Sequence, residues 1–278
     1  MPVSVRPSSE GPRVWLRRRM GLLSVVGLAV VMTASGVAQQ RPDPQTAVND
    51  AFNQFRTLKE GENADDIPAL AKVDPNLFGI AIVTVDGKVF TAGDVRTEVS
   101  IQSIIGFHND SAGRTLSVLQ DVYKSESDTN QRNQAIGALM LAYGYIKTNW
   151  QQAVDLYTRQ CSIGVNARDL ATMAAMLAAG GKNPVTGKQV MDAAKVPGVL
   201  AVMATAGLYD DSGKWLYHTG LPAKSGVGGG LIAVSPGKFG IAVVSPPLDD
   251  AGNSVRAQRA IAAVSNALGG NPLAPTAR

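Results

Sequence analysis

Two segments far apart in the chain both read as β-hairpins, and most of what lies between them reads as helix. Residues 78–94, "FGIAIVTVDGKVFTAGD", place two β-rich runs around Asp86-Gly87, a dipeptide suited to a type I′ turn. Residues 229–245, "GGLIAVSPGKFGIAVVS", repeat the arrangement around Ser235-Pro236-Gly237. Strands, then helices, then strands predict an α+β fold. The two strand sets share one antiparallel sheet and the helical block is inserted between them. Residues 99–104, "VSIQSI", are expected to bring the chain back toward that sheet.

Inside the helical block, residues 133–146, "NQAIGALMLAYGYI", carry apolar side chains at mixed three and four spacing and are expected to be mostly buried. Residues 166–181, "NARDLATMAAMLAAGG", have both helix signals: Asn166 to cap the start with Asp169 in the first turn, and Gly180-Gly181 to end it. Residues 187–207 read as two shorter helices broken near Pro197, and 254–268 as a closing amphipathic helix. The tail, 273–278, carries no pattern. Residues 41–60, polar with Pro42 and Pro44, read as a linker entering a short helix, and 61–272 as one domain.

The net charge of +4 hints at an anionic partner, but its location removes the hint. Arg6, Arg13, Arg17, Arg18 and Arg19 stand against Glu10 at the extreme N-terminus, and the rest of the chain is balanced. No nucleic acid partner is therefore expected. The basic stretch runs into the apolar residues 20–40, with small residues at Gly36-Val37-Ala38. This is a secretory pattern, so the expected location is periplasmic or secreted. An uncleaved anchor, giving membrane contact only through this leader, and a cytoplasmic product starting at Met20 are the competing readings.

Cys161 is the single cysteine, so no disulfide forms within one chain, and it reads as a small buried hydrophobe. His108 and His218 are too few for a histidine-based metal site. The expected chemistry uses no metal, no cofactor and no histidine base. Ser103 follows a strand-like segment, where nucleophiles often sit. Lys224-Ser225-Gly226 opens a probable strand before three glycines. It reads either as a glycine-rich strand start or as the Lys-Ser/Thr-Gly strand that faces a Ser-x-x-Lys helix in serine β-lactamases. Glu126 and Asn133 share a helix face if their segment is helical throughout, and otherwise belong to caps and a solvated surface. Tyr157 and Tyr209 each sit at an element's edge, where a tyrosine is usually a packed ring with a satisfied hydroxyl.

Together these segments resemble the bacterial glutaminase family. The resemblance is carried by "DPNLFGIAIVTVDGKVFTAGD", "SIQSI", "VYKSESDTNQRN", "DLYTRQCSIGVNARDLATMAAMLAAGGKNPVTGKQV" and the block from "VMATAGLYDDSGKW" through "LPAKSGVGGGLIAVSPGKFGIAVVSPP". It implies a serine β-lactamase-like fold, hydrolysis of L-glutamine to L-glutamate and ammonia, and assembly as a homodimer or homotetramer. Ser103 matches the family's nucleophile and Tyr209 a proton-transferring tyrosine. Glu126, Asn133, Tyr157, Tyr209 and Val227 match positions that bind glutamine, and Lys224 resembles the lysine of the Lys-Ser/Thr-Gly motif. One departure is large. The family continues from the serine to a lysine three residues on and then through several dozen residues, roughly seventy, that include a pocket asparagine. Here Ser103-Ile104-Ile105 runs into Gly106, and the family pattern resumes near Gly113-Arg114. The departure implies either an impaired glutaminase or a catalytically dead glutaminase-like protein that binds glutamine or modulates an intact paralogue.

Overall fold

The computed structural model describes residues 41–65, 67–97, 99–101 and 105–274. Residues 44–55, inside the stretch read as linker, form helix α1 (Pro44–Phe55). Pro44 serves as its first residue and Asp43 caps it, accepting from the amides of Gln45 and Thr46. The prolines thus start a helix whose Val48 and Ala51 are buried in the core. A single turn, α2 (Pro68–Ala71), precedes the first hairpin, β1 (Gly79–Thr84) and β2 (Val89–Gly93).

The hairpin is as expected but its turn is not type I′. Type I′ needs positive φ at both central residues, and only Gly87 is left-handed there (φ 83°). The Gly87 amide donates to the Thr84 carbonyl at 2.9 Å, and the turn closes on that glycine. β3 (Val99–Ile101) also departs from expectation. It pairs with β4 (Ile163–Val165) in a separate two-stranded sheet instead of returning to the main one.

The helical block runs α3 (Ile105–Ala112), α4 (Gln120–Thr129), α5 (Gln131–Ala142), α6 (Trp150–Cys161), β4, α7 (Ala167–Ala178), α8 (Val196–Ala206) and α9 (Ser212–Thr219). Asn166 and Asp169 form a reciprocal capping box at the start of α7. Near Pro197 only a 3-10 turn, Ala193–Lys195, precedes α8. Pro197 sits within the first turn of α8, where its missing amide costs nothing. Then come β5 (Ala223–Ser225), β6 (Gly230–Ser235), β7 (Phe239–Val244) and α10 (Val255–Leu268).

The two strand sets do join in one antiparallel sheet, in the order β2-β1-β7-β6-β5. Side chains alternate across it. Ile80, Ile82, Ile241 and Val243 pack against α1 and α10, whereas Ala81, Val83, Ala242 and Val244 pack against α7. Helix α7 lies so close to β7 that a Cβ on Gly240 would stand 2.1 Å from the Ala175 nitrogen. Backbone cannot yield as a side-chain tip does. Gly240→Ala is expected to cost about 3 kcal/mol and to lower Tm by roughly 6–12 °C in a thermal melt.

The largest departure is α5. Its Ile136 and Leu139 are 54% and 56% exposed, where the apolar spacing predicted burial. One stripe through Gly137 packs on α6, against Val154 and Trp150, and no described element covers the rest.

Candidate active site

The loop that enters β5 and the turn that leaves it set one wall. Gly207 leaves no room for a side chain, because a Cβ there would lie 1.7 Å from the Ala223 carbonyl oxygen. The buried Ser225 donates from its amide to Gly207 O at 3.1 Å and from its hydroxyl to Asn253 Oδ1 at 2.6 Å. Asn253 in turn donates to Leu208 O at 3.3 Å. This lattice holds Tyr209 in a left-handed conformation (φ 50°), the one non-glycine residue so held among the described residues. Such a conformation costs on the order of 1–3 kcal/mol and persists only where the surroundings enforce it. Ser212 completes the hold, its hydroxyl donating to Tyr209 O at 2.8 Å.

Lys224, on β5, brings its ammonium 4.8 Å from the centre of the Tyr209 ring. Part of the side chain is open to solvent, but its charged end is desolvated, and burial lowers its pKa from the ordinary lysine range. Past Ser225 the chain turns through residues 226–229, with Gly226 N donating to Gly230 O at 2.8 Å. Gly229 (φ 87°) has its would-be Cβ against Pro246. Val227 sits at the tip of this turn. Among the described residues its amide donates no hydrogen bond, so it is available to a ligand.

The facing wall is helical. Asn130 breaks the segment into α4 and α5, so Glu126 and Asn133 lie on different helices instead of on one face of a single helix. The corner is fixed by Asn130 Nδ2 donating to Thr158 Oγ1 on α6 at 3.2 Å. That bond sets α4, α5 and α6 so that Glu126, Asn133 and Tyr157 line the same space. Glu126 is only 7% exposed, which replaces the alternative of a solvated face.

These walls enclose a cavity of about 570 Å³, within the ordinary range for small-molecule sites. Glu126, Asn133, Tyr157, Tyr209, Lys224 and Val227 all line it. Met173, Met176, Met191 and Met203 supply much of its apolar lining, a surface that adapts to its contents. Ser103 lies outside the described residues.

Two further lining residues were missed by the sequence reading: His108 and Ser111, both on α3 and both buried. The helix is anchored at its C-terminal end, where Asn183 Nδ2 donates to Asp110 O and Ser111 O at 2.9 and 3.0 Å. Arg114, just beyond, makes a two-pronged pair with Asp169 at 2.9 and 2.6 Å. The only local signal for His108 was its spacing, since 107, 108 and 111 fall on one side of a helix. Gly106 falls on the opposite side, exposed, with no atom within 4 Å of a Cβ built there.

The chain is similar to known proteins over most of its length. The family model described as Glutaminase matches residues 61–109 and again 104–271. A glutaminase from Colwellia psychrerythraea is 41% identical over 304 aligned positions, covering 84% of this chain and 98% of the relative. One from Mycobacterium ulcerans is 39% identical, covering 81% and 92%. Among solved structures, a probable glutaminase, ybaS, superposes with a TM-score of 0.81 at 36% identity, covering 84% of this chain and 98% of that one. A structure of Mglu gives 0.80 at 28% identity, covering 85% and 77%. In the Colwellia alignment, 84% of the 278-residue chain is about 234 residues, so about 70 of the 304 positions face a gap. The family match breaks and restarts at residues 104–109, directly after Ser103. With its serine β-lactamase-like fold, this chain belongs to the glutaminase family, whose members are hydrolases acting on glutamine.

Proposed function

We propose that this chain binds L-glutamine in the 570 Å³ cavity and hydrolyses its side-chain amide through Ser103 far more slowly than an intact relative. The supporting observation is the gathering of both signs of charge in one cavity, with Glu126 on α4 and Lys224 on β5. A buried carboxylate suits an α-ammonium group, and a desolvated ammonium suits an anionic or developing negative oxygen. Asn133 and Tyr157 suit the polar ends of glutamine, and the Val227 amide, which donates no hydrogen bond among the described residues, suits an oxyanion. In this reading the Ser103 oxygen attacks the amide carbonyl and ammonia departs, taking a proton by way of Tyr209. Water then releases glutamate and restores the serine. Assembly as a homodimer or homotetramer, and export on the 1–40 leader, belong to the same reading.

Titration calorimetry with L-glutamine tests it, with binding at millimolar concentration or tighter as the expected result. No heat of binding over that range would sink the reading.

Lys224 gives a prediction with a defined sign. Its pKa is lowered in the folded chain, so in the alkaline window just below the ordinary lysine range the unfolded state binds more protons. Stability therefore rises with pH there, and the cost of the desolvated cation is fully present at neutral pH. Lys224→Met is expected to leave Tm at neutral pH unchanged or higher, to flatten that alkaline rise, and to weaken glutamine about tenfold. A variant that melts lower yet binds glutamine normally contradicts this role.

A further inference from the structure

In the function proposed above, the nitrogen of the substrate amide departs by way of Tyr209, so the surroundings of that ring decide what the nitrogen can carry. The Lys224 ammonium stands 4.8 Å from the ring centre. Directly opposite Lys224 on β6 is Ile232, and opposed residues of an antiparallel pair project from the same face. Ile232 packs against the core cluster that holds Met176 and Leu177 of α7 and Met203 of α8, as do Val199 and Met191. All six of these side chains line the cavity, and Met176, Leu177 and Met203 are buried. Beside the Lys224–Tyr209 pair the cavity therefore has a wall with no charge and no strong hydrogen-bonding group. Size points the same way. At a water's share of liquid volume, about 30 Å³ for each of its ten non-hydrogen atoms, glutamine fills about 300 Å³. That leaves roughly half of the 570 Å³ for something else.

We propose that this apolar wall receives a substituent on the amide nitrogen, and that the substrates of this chain include γ-glutamyl amides of apolar primary amines. The proposal rests on the glutamine reading above and adds the leaving group to it. The reaction balances as it does for glutamine. The Ser103 oxygen bonds to the amide carbon, the C–N bond breaks, and the amine leaves with a proton passed by Tyr209. Water then cleaves the glutamyl ester to glutamate and restores the serine. An alkyl or benzyl group is driven out of water into such a wall, whereas a hydroxyl there loses its water without a partner. The methionines suit the task, because their flexible side chains repack around substituents of different shape.

The test is calorimetry of the full chain with L-glutamine, γ-L-glutamyl benzylamide and γ-L-glutamyl 2-hydroxyethylamide. The benzylamide is expected to bind about 100-fold tighter than glutamine, and the hydroxyethylamide no tighter than glutamine. At equal low substrate concentration, benzylamine is expected to be released faster than ammonia, and Ser103→Ala to stop both. Val199→Asp places a charge at a half-buried position of the wall and is expected to cut the preference for the benzylamide over glutamine about tenfold. Val199→Thr keeps the side chain's shape, guards against a folding defect in the first variant, and is expected to shift the preference in the same direction. Glutamine bound with no preference for the benzylamide overturns the apolar subsite and leaves the glutamine reading intact. Neither compound bound overturns both. A preference unchanged in both Val199 variants, or benzylamine alone binding as tightly as its amide, overturns the placement of the substituent. Tight binding of the benzylamide with no benzylamine released overturns the substrate assignment.

Discussion

Measured beside the Colwellia psychrerythraea glutaminase, this chain is expected to release ammonia from glutamine about 10²–10⁴-fold more slowly, and Ser103→Ala is expected to abolish what is left. A serine hydroxyl is a weak nucleophile until a base takes its proton. The family's Ser-x-x-Lys supplies that base within one helical turn, and here the fourth position is Gly106. Rewriting the motif does not repair it, because residue 106 faces away from the cavity while 107, 108 and 111 face into it. Gly106→Lys is therefore expected to leave ammonia release within a few-fold of wild type. The same change replaces a helical glycine in open space and stabilises by about 0.5–1 kcal/mol, a Tm gain of roughly 1–4 °C. A relative-like rate in the wild-type chain, or a large rescue by Gly106→Lys, would show that α3 sits differently in the working protein.

Glu126→Gln should give the largest effect on binding. The carboxylate is nearly inaccessible to water, and in the proposed complex it faces the α-ammonium of glutamine. Removing one partner of a buried charge pair typically costs 2–5 kcal/mol, so calorimetry should show glutamine weakened by about 100-fold. A ligand that keeps the amide and carboxylate but lacks the amino group separates this role from general damage. That ligand should bind wild type and variant alike. Equal loss for both ligands would make Glu126 a residue that shapes the helical wall, and no loss for either would remove it from the site.

Much of the architecture is local in origin and so was readable. The alternation in β1 and β7 buries opposite faces of one sheet. Asn166 and Asp169 announce α7 through their own capping bonds. The readings that failed all depended on distant parts of the chain. Local periodicity marks residues 133–146 as helix with apolar sides but does not say whether another element covers them, and none of those described does. The β-rich character of residues 99–101 marks a strand but not its partner, which is β4. The Asp86-Gly87 pair marks a turn, whereas the pairing of Val83 with Val89 decides how many residues the turn spans.

The candidate site divides in the same way. By itself the sequence determined the residue types, the resemblance that ties them to glutamine, and the missing lysine after Ser103. Those follow from composition and order along the chain. Only the tertiary structure decided that Glu126, Asn133, Tyr157, Tyr209, Lys224 and Val227 line one cavity, that His108 joins them, and that residue 106 points away. The physical reason is that a side chain's direction is set by its phase on a helix or strand. Its neighbours are set by contacts such as Asn130 to Thr158 and Ser225 to Asn253, which join residues 28 positions apart.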